Sequence, residues 1–86
     1  MLSRMGTDKR RSIRVTAEQI RAERAARGVT QRALAEASGI PEQTYIRYET
    51  GKRDVPNASL IAIVDALGVP YSTFARRLQD RLDEPE

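Results

Sequence analysis

Apolar residues recur every three or four positions through most of the chain, and glycine or proline stands at the breaks between runs. That spacing predicts helices. The first is expected from about Ala17 to Arg27, with Ile20 and the alanines inward. Gly28 ends it, and Arg27 sits in the last turn, where a cation suits the helix dipole. Val15 is expected as a hydrophobic staple before this helix and Thr16 as its N-cap. A second helix is expected over about Gln31 to Ser38. Thr30 caps it, Ala33, Leu34 and Ala37 form its stripe, and Gly39 ends it. The third covers about Pro41 to Thr50, with Pro41 where a missing amide costs nothing and Gly51 closing it. The segment GKRDVP is a turn that exposes Lys52 and Arg53. Asn57 then caps a fourth helix, about Ala58 to Leu67. Its Leu60, Ile61, Ile63, Val64 and Leu67 make it the expected floor of the core. After Gly68, Pro70 opens a last helix whose Tyr71, Phe74, Ala75, Leu78 and Leu82 follow one stripe. That stripe either packs on the body or meets a partner; spacing alone leaves both open. No strand pattern and no internal repeat occurs, so the expected class is all-α.

The stretch TQRALAEASGIPEQTYIRYETG stands out, because two short helices joined by a three- to four-residue turn with a glycine form a helix-turn-helix. On a helical wheel its second helix has two unlike flanks. Pro41, Tyr45 and Tyr48 fall together on a side able to enter a core. Glu42, Gln43, Ile46 and Arg47 share the opposite side, with Thr50 among them. Gln suits adenine, Arg guanine, Glu cytosine, and an apolar carbon the thymine methyl, so this flank carries groups able to read base edges. A plain solvated face presents the same kinds of residue, and the wheel alone does not separate the two.

Composition narrows the chemistry. At 86 residues the chain is one domain with a modest core. It has no Cys and no His, hence no disulfide framework, no thiolate metal site and neither the commonest general base nor the commonest metal ligand. An enzyme is not expected; no catalytic residue, metal or cofactor is assigned. The longest aliphatic run, Leu60 to Val64, is too short to span a bilayer, and no signal-peptide core follows Met1, so a cytoplasmic setting with no membrane partner is expected. The net charge of +3 is uneven: residues 1–15 carry +4 and the remaining 71 residues −1. Any nucleic-acid surface on the body is therefore a local patch. Residues 1–15 lack apolar periodicity and contain Gly6 and a KRR run, so they are expected to form a flexible basic arm. The arm either neutralises phosphates through Arg4, Lys9, Arg10, Arg11 and Arg14 or is only a solubilising end. The domain proper is expected at 16–82, followed by a frayed acidic tail at 83–86.

Five helices with the helix-turn-helix at the second and third resemble the lambdoid phage repressor and Cro fold, the Cro/C1-type or XRE-type family. The resemblance covers about Ala17 to Leu78. IRAERAARGVTQRALAEASGI looks like the family's first two helices, QTYIRYETGKR like the end of its recognition helix and the exit from it, and PNASLIAIVDALGV like its fourth helix. It implies a compact five-helix, lambda-repressor-like DNA-binding domain. It also implies base contacts from Glu42, Gln43, Ile46 and Arg47. Phosphate contacts are implied for Gln31, Thr44, Thr50, Lys52 and Arg53 and for the start of the second helix beside Thr30; Gln31 alternatively braces the recognition helix. Arg24 and Glu49 match a structural ion pair joining the first and third helices. Two departures stand out. Glu23 occupies a position where an apolar residue is common, so a less buried first helix is expected. Glu42 occupies one often held by a neutral donor; a carboxylate there repels phosphate and is expected to discriminate rather than add affinity.

The expected function is a sequence-specific regulator of transcription, a repressor of phage-immunity, antitoxin or controller type. It would bind double-stranded DNA as a homodimer on a palindromic operator, with the reading helices about 34 Å apart. The alternative is a protein-interaction module on the same fold, using the stripe of the last helix, with incidental DNA contact.

Overall fold

The computed structural model describes residues 8–85. Five helices follow one another: α1 (Lys9–Ala26), α2 (Gln31–Ser38), α3 (Glu42–Glu49), α4 (Asn57–Leu67) and α5 (Tyr71–Asp83). Among the described residues there is no strand. Helix α4 packs chiefly on α2, α5 on α1, and α3 lies between α2 and α1. Ile20, Leu34, Tyr45, Ile63 and Phe74 meet in the core, so every helix contributes to it.

Prolines start three of the helices. Pro41, Pro56 and Pro70 are the N-caps of α3, α4 and α5, with φ of −56°, −60° and −57° and extended ψ. Their carbonyls accept the first helical bonds, from Tyr45 at 2.9 Å, Leu60 at 2.9 Å and Phe74 at 3.1 Å. Asn57, expected as the cap of α4, is instead its first residue, and no side chain caps that helix. Proline supplies the fixed φ and a free carbonyl, and no amide is needed at that position. For α2 the expected ends are present. Thr30 Oγ1 accepts from the Ala33 amide at 3.0 Å, and Gly39, at φ 71°, takes the left-handed turn that a side chain disfavours.

The largest departure is at the N-terminus. Helix α1 begins at Lys9, two turns before the expected start, with Asp8 as N-cap accepting from the Arg10 amide at 3.1 Å. Lys9, Arg10, Arg11 and Arg14 thus ride on a helix and not on a flexible arm; Arg4 lies outside the described residues. Lys and Arg are good helix formers, and Asp is a strong cap, so the local sequence permits this extension. Helix α5 makes it worthwhile: Val15 is buried, and Arg11 donates to the Leu82 carbonyl at 3.0 Å and the Glu84 carbonyl at 2.8 Å. Val15 is therefore core and not a staple, Thr16 is interior to the helix, and the expected tail at 83–86 starts inside α5, with Glu84 engaged by Arg11.

The apolar stripe of α5 turns onto the body. Phe74 is fully buried, and Leu78 packs on the core; Ala75 and Leu82 are half-buried. Two large apolar side chains stay exposed, Tyr71 and Ile61. Ile61 was expected in the core floor. A continuous apolar run has no period that selects a face, and Ile63, Val64 and Leu67 take the inward one. Among the described residues no single helix is long and apolar enough to cross a membrane.

Candidate nucleic-acid interface

Helix α3 is only eight residues long, and its two flanks have different fates. Tyr45 and Tyr48 are buried, as is Glu49 at its end. Glu42, Gln43 and Arg47 are exposed on the other side. Ile46 and Thr44 are half-buried, so Ile46 offers only part of its side chain to an apolar contact. A side-by-side display of acid, amide and guanidinium is what α3 holds out to solvent.

What fixes the angle of that display is a buried carboxylate. Glu49, 2% exposed, receives Arg24 in bidentate fashion, Nε to Oε2 at 2.7 Å and Nη2 to Oε1 at 2.9 Å. The Tyr45 hydroxyl donates to Oε2 at 2.5 Å and Gln31 Nε2 to Oε1 at 3.0 Å. The remaining guanidinium nitrogen of Arg24 holds the Val29 carbonyl at 2.8 Å. The expected pair between Arg24 and Glu49 is thus present, and it is the centre of a network joining α1, α2 and α3. Burial alone would raise the Glu49 pKa. The hydrogen bonds from Arg24, Tyr45 and Gln31 and the charge of Arg24 outweigh it and hold the carboxyl below the usual range. Glu49 in turn keeps Arg24 above its ordinary value. For Tyr45, burial and the neighbouring carboxylate push the phenol well above its own.

The same geometry sorts the expected phosphate contacts. Gln31 spends an amide N–H on Glu49, which is the bracing role, and Thr30 caps α2 by accepting the Ala33 amide, which leaves its own hydroxyl proton to donate. Thr50 donates its hydroxyl proton to the Ile46 carbonyl at 2.8 Å, so in this arrangement it has no proton for a phosphate oxygen, which only accepts. Lys52 and Arg53 are exposed just past α3. Their amides close over its end by donating to the Arg47 carbonyl at 2.9 and 3.3 Å. Arg53 also stands 6.0 Å from the Tyr48 ring centroid, within reach of a cation–π contact that tethers it to the helix.

Two features of the site were not anticipated. Arg21 Nη1 caps the Glu49 carbonyl at 2.9 Å, adding a cation at the C-terminal pole of α3. Its signal was its place three residues before Arg24, one turn along the same face. The second is Glu23. Far from loosening α1, it is buried. It accepts from Gln19 at 2.7 Å, from Arg27 at 2.9 Å, and from Arg77 on α5 at 2.9 and 3.0 Å. Arg81 also donates to Gln19 Oε1. The legible signal was a pair of i,i+4 partners on each helix, Gln19 with Glu23 and Arg77 with Arg81. Burial pushes the Glu23 carboxyl up, but Arg77, Gln19 and Arg27 together hold it below its ordinary range.

A helix-turn-helix family model matches residues 20–74, which span α2, α3 and α4 whole and reach into α1 and α5. The chain belongs to the XRE-type helix-turn-helix family. Among solved structures it is similar to the clp gene regulator ClgR from C. glutamicum. The two are 28% identical and superpose with a TM-score of 0.74, over 80% of this chain and 90% of that one. No curated protein matches the chain. Membership places this helix-turn-helix protein among DNA-binding regulators of transcription, with α2 and α3 as the motif that defines the family.

Proposed function

We propose that this helix-turn-helix protein is a repressor. It binds an inverted-repeat operator as a homodimer in the cytoplasm and lays α3 of each protomer in the major groove. Glu42, Gln43, Ile46 and Arg47 face the base edges; Lys52 and Arg53 take phosphates beyond the end of α3, and Thr44 and the start of α2 beside Thr30 take them on the other side. Phage-immunity, antitoxin and controller proteins are the regulator types that fit. The single observation that carries this is the division of α3: one flank anchored through Tyr45, Tyr48 and Glu49, the other exposed with Glu42, Gln43 and Arg47. A reading helix needs such a fixed angle, because base-edge hydrogen bonds tolerate little misplacement. Two-fold pairing would set two such helices about 34 Å apart, one turn of duplex. No chemistry beyond binding is assigned, and no cofactor or metal is called for.

Capture of genomic fragments by the purified chain, read for a shared inverted repeat, tests this. A repeat with half-sites one helical turn apart supports the paired reading. Fragments enriched without any shared sequence would sink it. The interaction-module alternative draws less support, since the stripe on which it relied is turned against α1 and the core.

A further inference from the structure

Helix α3 ends, like any helix, with four carbonyls that have no partner inside it. The chain's own turn takes three of them: the Thr50 amide donates to Ile46 at 3.0 Å, Lys52 to Arg47 at 2.9 Å and Gly51 to Tyr48 at 3.2 Å. The fourth, of Glu49, is taken from 28 positions away, by Arg21 Nη1 at 2.9 Å. Arg21 and Arg24 are one turn apart on α1, and Arg24 holds the carboxylate of the same Glu49. Helix α1 thus grips Glu49 twice, once on its side chain and once on its main chain, from points about 4.5 Å apart along its axis. The two grips differ in setting. The carboxylate is buried with Arg24 half-buried beside it, whereas Arg21 is an exposed residue. Glu18, the acid one turn back on α1, stands 4.0 Å from Arg81, toward α5. The far end of α3 has no comparable hold: Pro41, Glu42 and Gln43 are exposed, and no side chain caps that end.

We infer that Arg21 is a positioning residue for base readout: its hold on the Glu49 carbonyl stops α3 from swivelling about the Arg24–Glu49 pair. One point of attachment leaves a pivot, and a second removes it. The lever is long at the reading end. Gln43 is six residues, about 9 Å, from Glu49, so a swivel of about 10° carries it about 1.5 Å. Arg47, two residues or about 3 Å away, moves about 0.5 Å by the same geometry. A base-edge hydrogen bond needs its heavy atoms within about 2.7–3.2 Å, so the first shift breaks it and the second does not. Stability responds little, because water replaces the guanidinium on the carbonyl once the exposed side chain is gone. The inference rests on the DNA-binding role of α3 and adds to it a residue that shapes selection without touching DNA.

The test uses the full chain with the operator duplex recovered by genomic capture, a random duplex, and operators changed at single base pairs. Arg21→Ala should lower the preference for operator over random duplex about tenfold, within the range for one bidentate base contact. The loss should fall at the base pair that Gln43→Ala relaxes and spare the one that Arg47→Ala relaxes. Affinity for random duplex, its salt slope and the urea midpoint should stay at their wild-type values. Arg21→Lys keeps a donor for the carbonyl and should recover most of the preference. Equal losses on both duplexes with a shallower salt slope would make Arg21 a phosphate contact and overturn the inference. An unchanged preference, or a marked drop in the urea midpoint of Arg21→Ala, overturns it as well, and in each case the DNA-binding role stands. Wild type that shows no operator preference overturns that role and the inference together.

Discussion

Helix α1 carries two buried carboxylate sites on different sides, and they are built to different standards. At one, Glu49 from α3 is 2% exposed and takes hydrogen bonds from Arg24, Tyr45 and Gln31. At the other, Glu23 is 4% exposed, but its cations are not buried with it: Arg27 is 33% and Arg77 47% exposed. The carboxylates are equally hidden; the partners are not. Taking charges out of water is costly, and a buried pair holds only where the remaining lone pairs are satisfied. The Glu49 site meets that demand with groups from three elements and so defines one position for α3. The Glu23 site meets it with long side chains whose heads remain wet, which fastens α5 without defining its place so tightly. The stricter site lies under the reading helix.

The largest break in that comparison comes from emptying each site. Glu49→Ala strands Arg24 and the Tyr45 hydroxyl in the interior, and should cost about 3–5 kcal/mol of unfolding free energy. That is a large share of what so small a domain possesses. Glu23→Gln should cost about 1–2 kcal/mol, because Arg77 and Arg27 can swing to solvent. Urea denaturation of both variants measures the gap. Equal losses would mean that partner exposure does not distinguish the two sites.

How far each site could be foreseen follows the same division. The Glu49 network lies within the part of the chain where motif and spacing are dense. Thr30, Gly39 and Tyr45 have local reasons for their places, and the resemblance supplied the pairing of Arg24 with Glu49. The Glu23 site joins residues 54 positions apart, and a buried glutamate among arginines looks like any solvated helix until α5 is in place. The first turns of α1 were hidden for a related reason. A run of cations has helix propensity but no apolar period, and the partner that holds it, the end of α5, is 71 and 73 positions away in sequence. Ile61 failed differently: an unbroken apolar run contains no information about which way it faces.

The comparison sharpens when function replaces stability as the readout. Arg47→Ala should cost about 1–3 kcal/mol of binding at the cognate site and relax selection at one base pair. It sets the scale for loss of a reading group. Arg24→Lys keeps a charge beneath α3 but removes the bidentate fork, so it should weaken operator binding without touching DNA itself. Glu23→Gln should leave affinity at the operator unchanged. Fluorescence anisotropy on operator and random duplex decides this; a Glu23 variant that loses operator preference would show that α5 also sets the reading angle.

Within the looser site a smaller effect separates its two cations. Arg77→Ala removes the only link from Glu23 to α5 among the described ion pairs but leaves Gln19 and Arg27 on the carboxylate. The loss should be about 1 kcal/mol, within the range for one charge-assisted hydrogen bond after solvation is counted. Thermal unfolding measures it, and a loss as large as that of Glu23→Gln would make Arg77 the sole support of the site.

The subtlest distinction is in the response to pH. Both carboxyls have folded pKa values below their ordinary range, Glu49 and Glu23 alike because hydrogen-bonding cations outweigh burial. The unfolded chain therefore binds more protons in acid, and stability rises with pH there. The contribution of each site is complete above the ordinary glutamate value of about 4.3 and is lost as pH falls through the folded values. Glu49→Gln and Glu23→Gln should each flatten this acid limb. Only the Glu49 site has a second limb. Burial and the adjacent carboxylate raise the Tyr45 phenol, so its contribution is complete below the ordinary tyrosine value of about 10 and declines as pH climbs from there toward the raised folded one. Tyr45→Phe should flatten the alkaline limb and spare most of the acid one, whereas Glu23→Gln should leave the alkaline limb as it is. Unfolding free energies across the pH range test the pattern. An alkaline limb that persists in Tyr45→Phe would place the titrating group elsewhere and remove the claim that the phenol is locked into the carboxylate beneath α3.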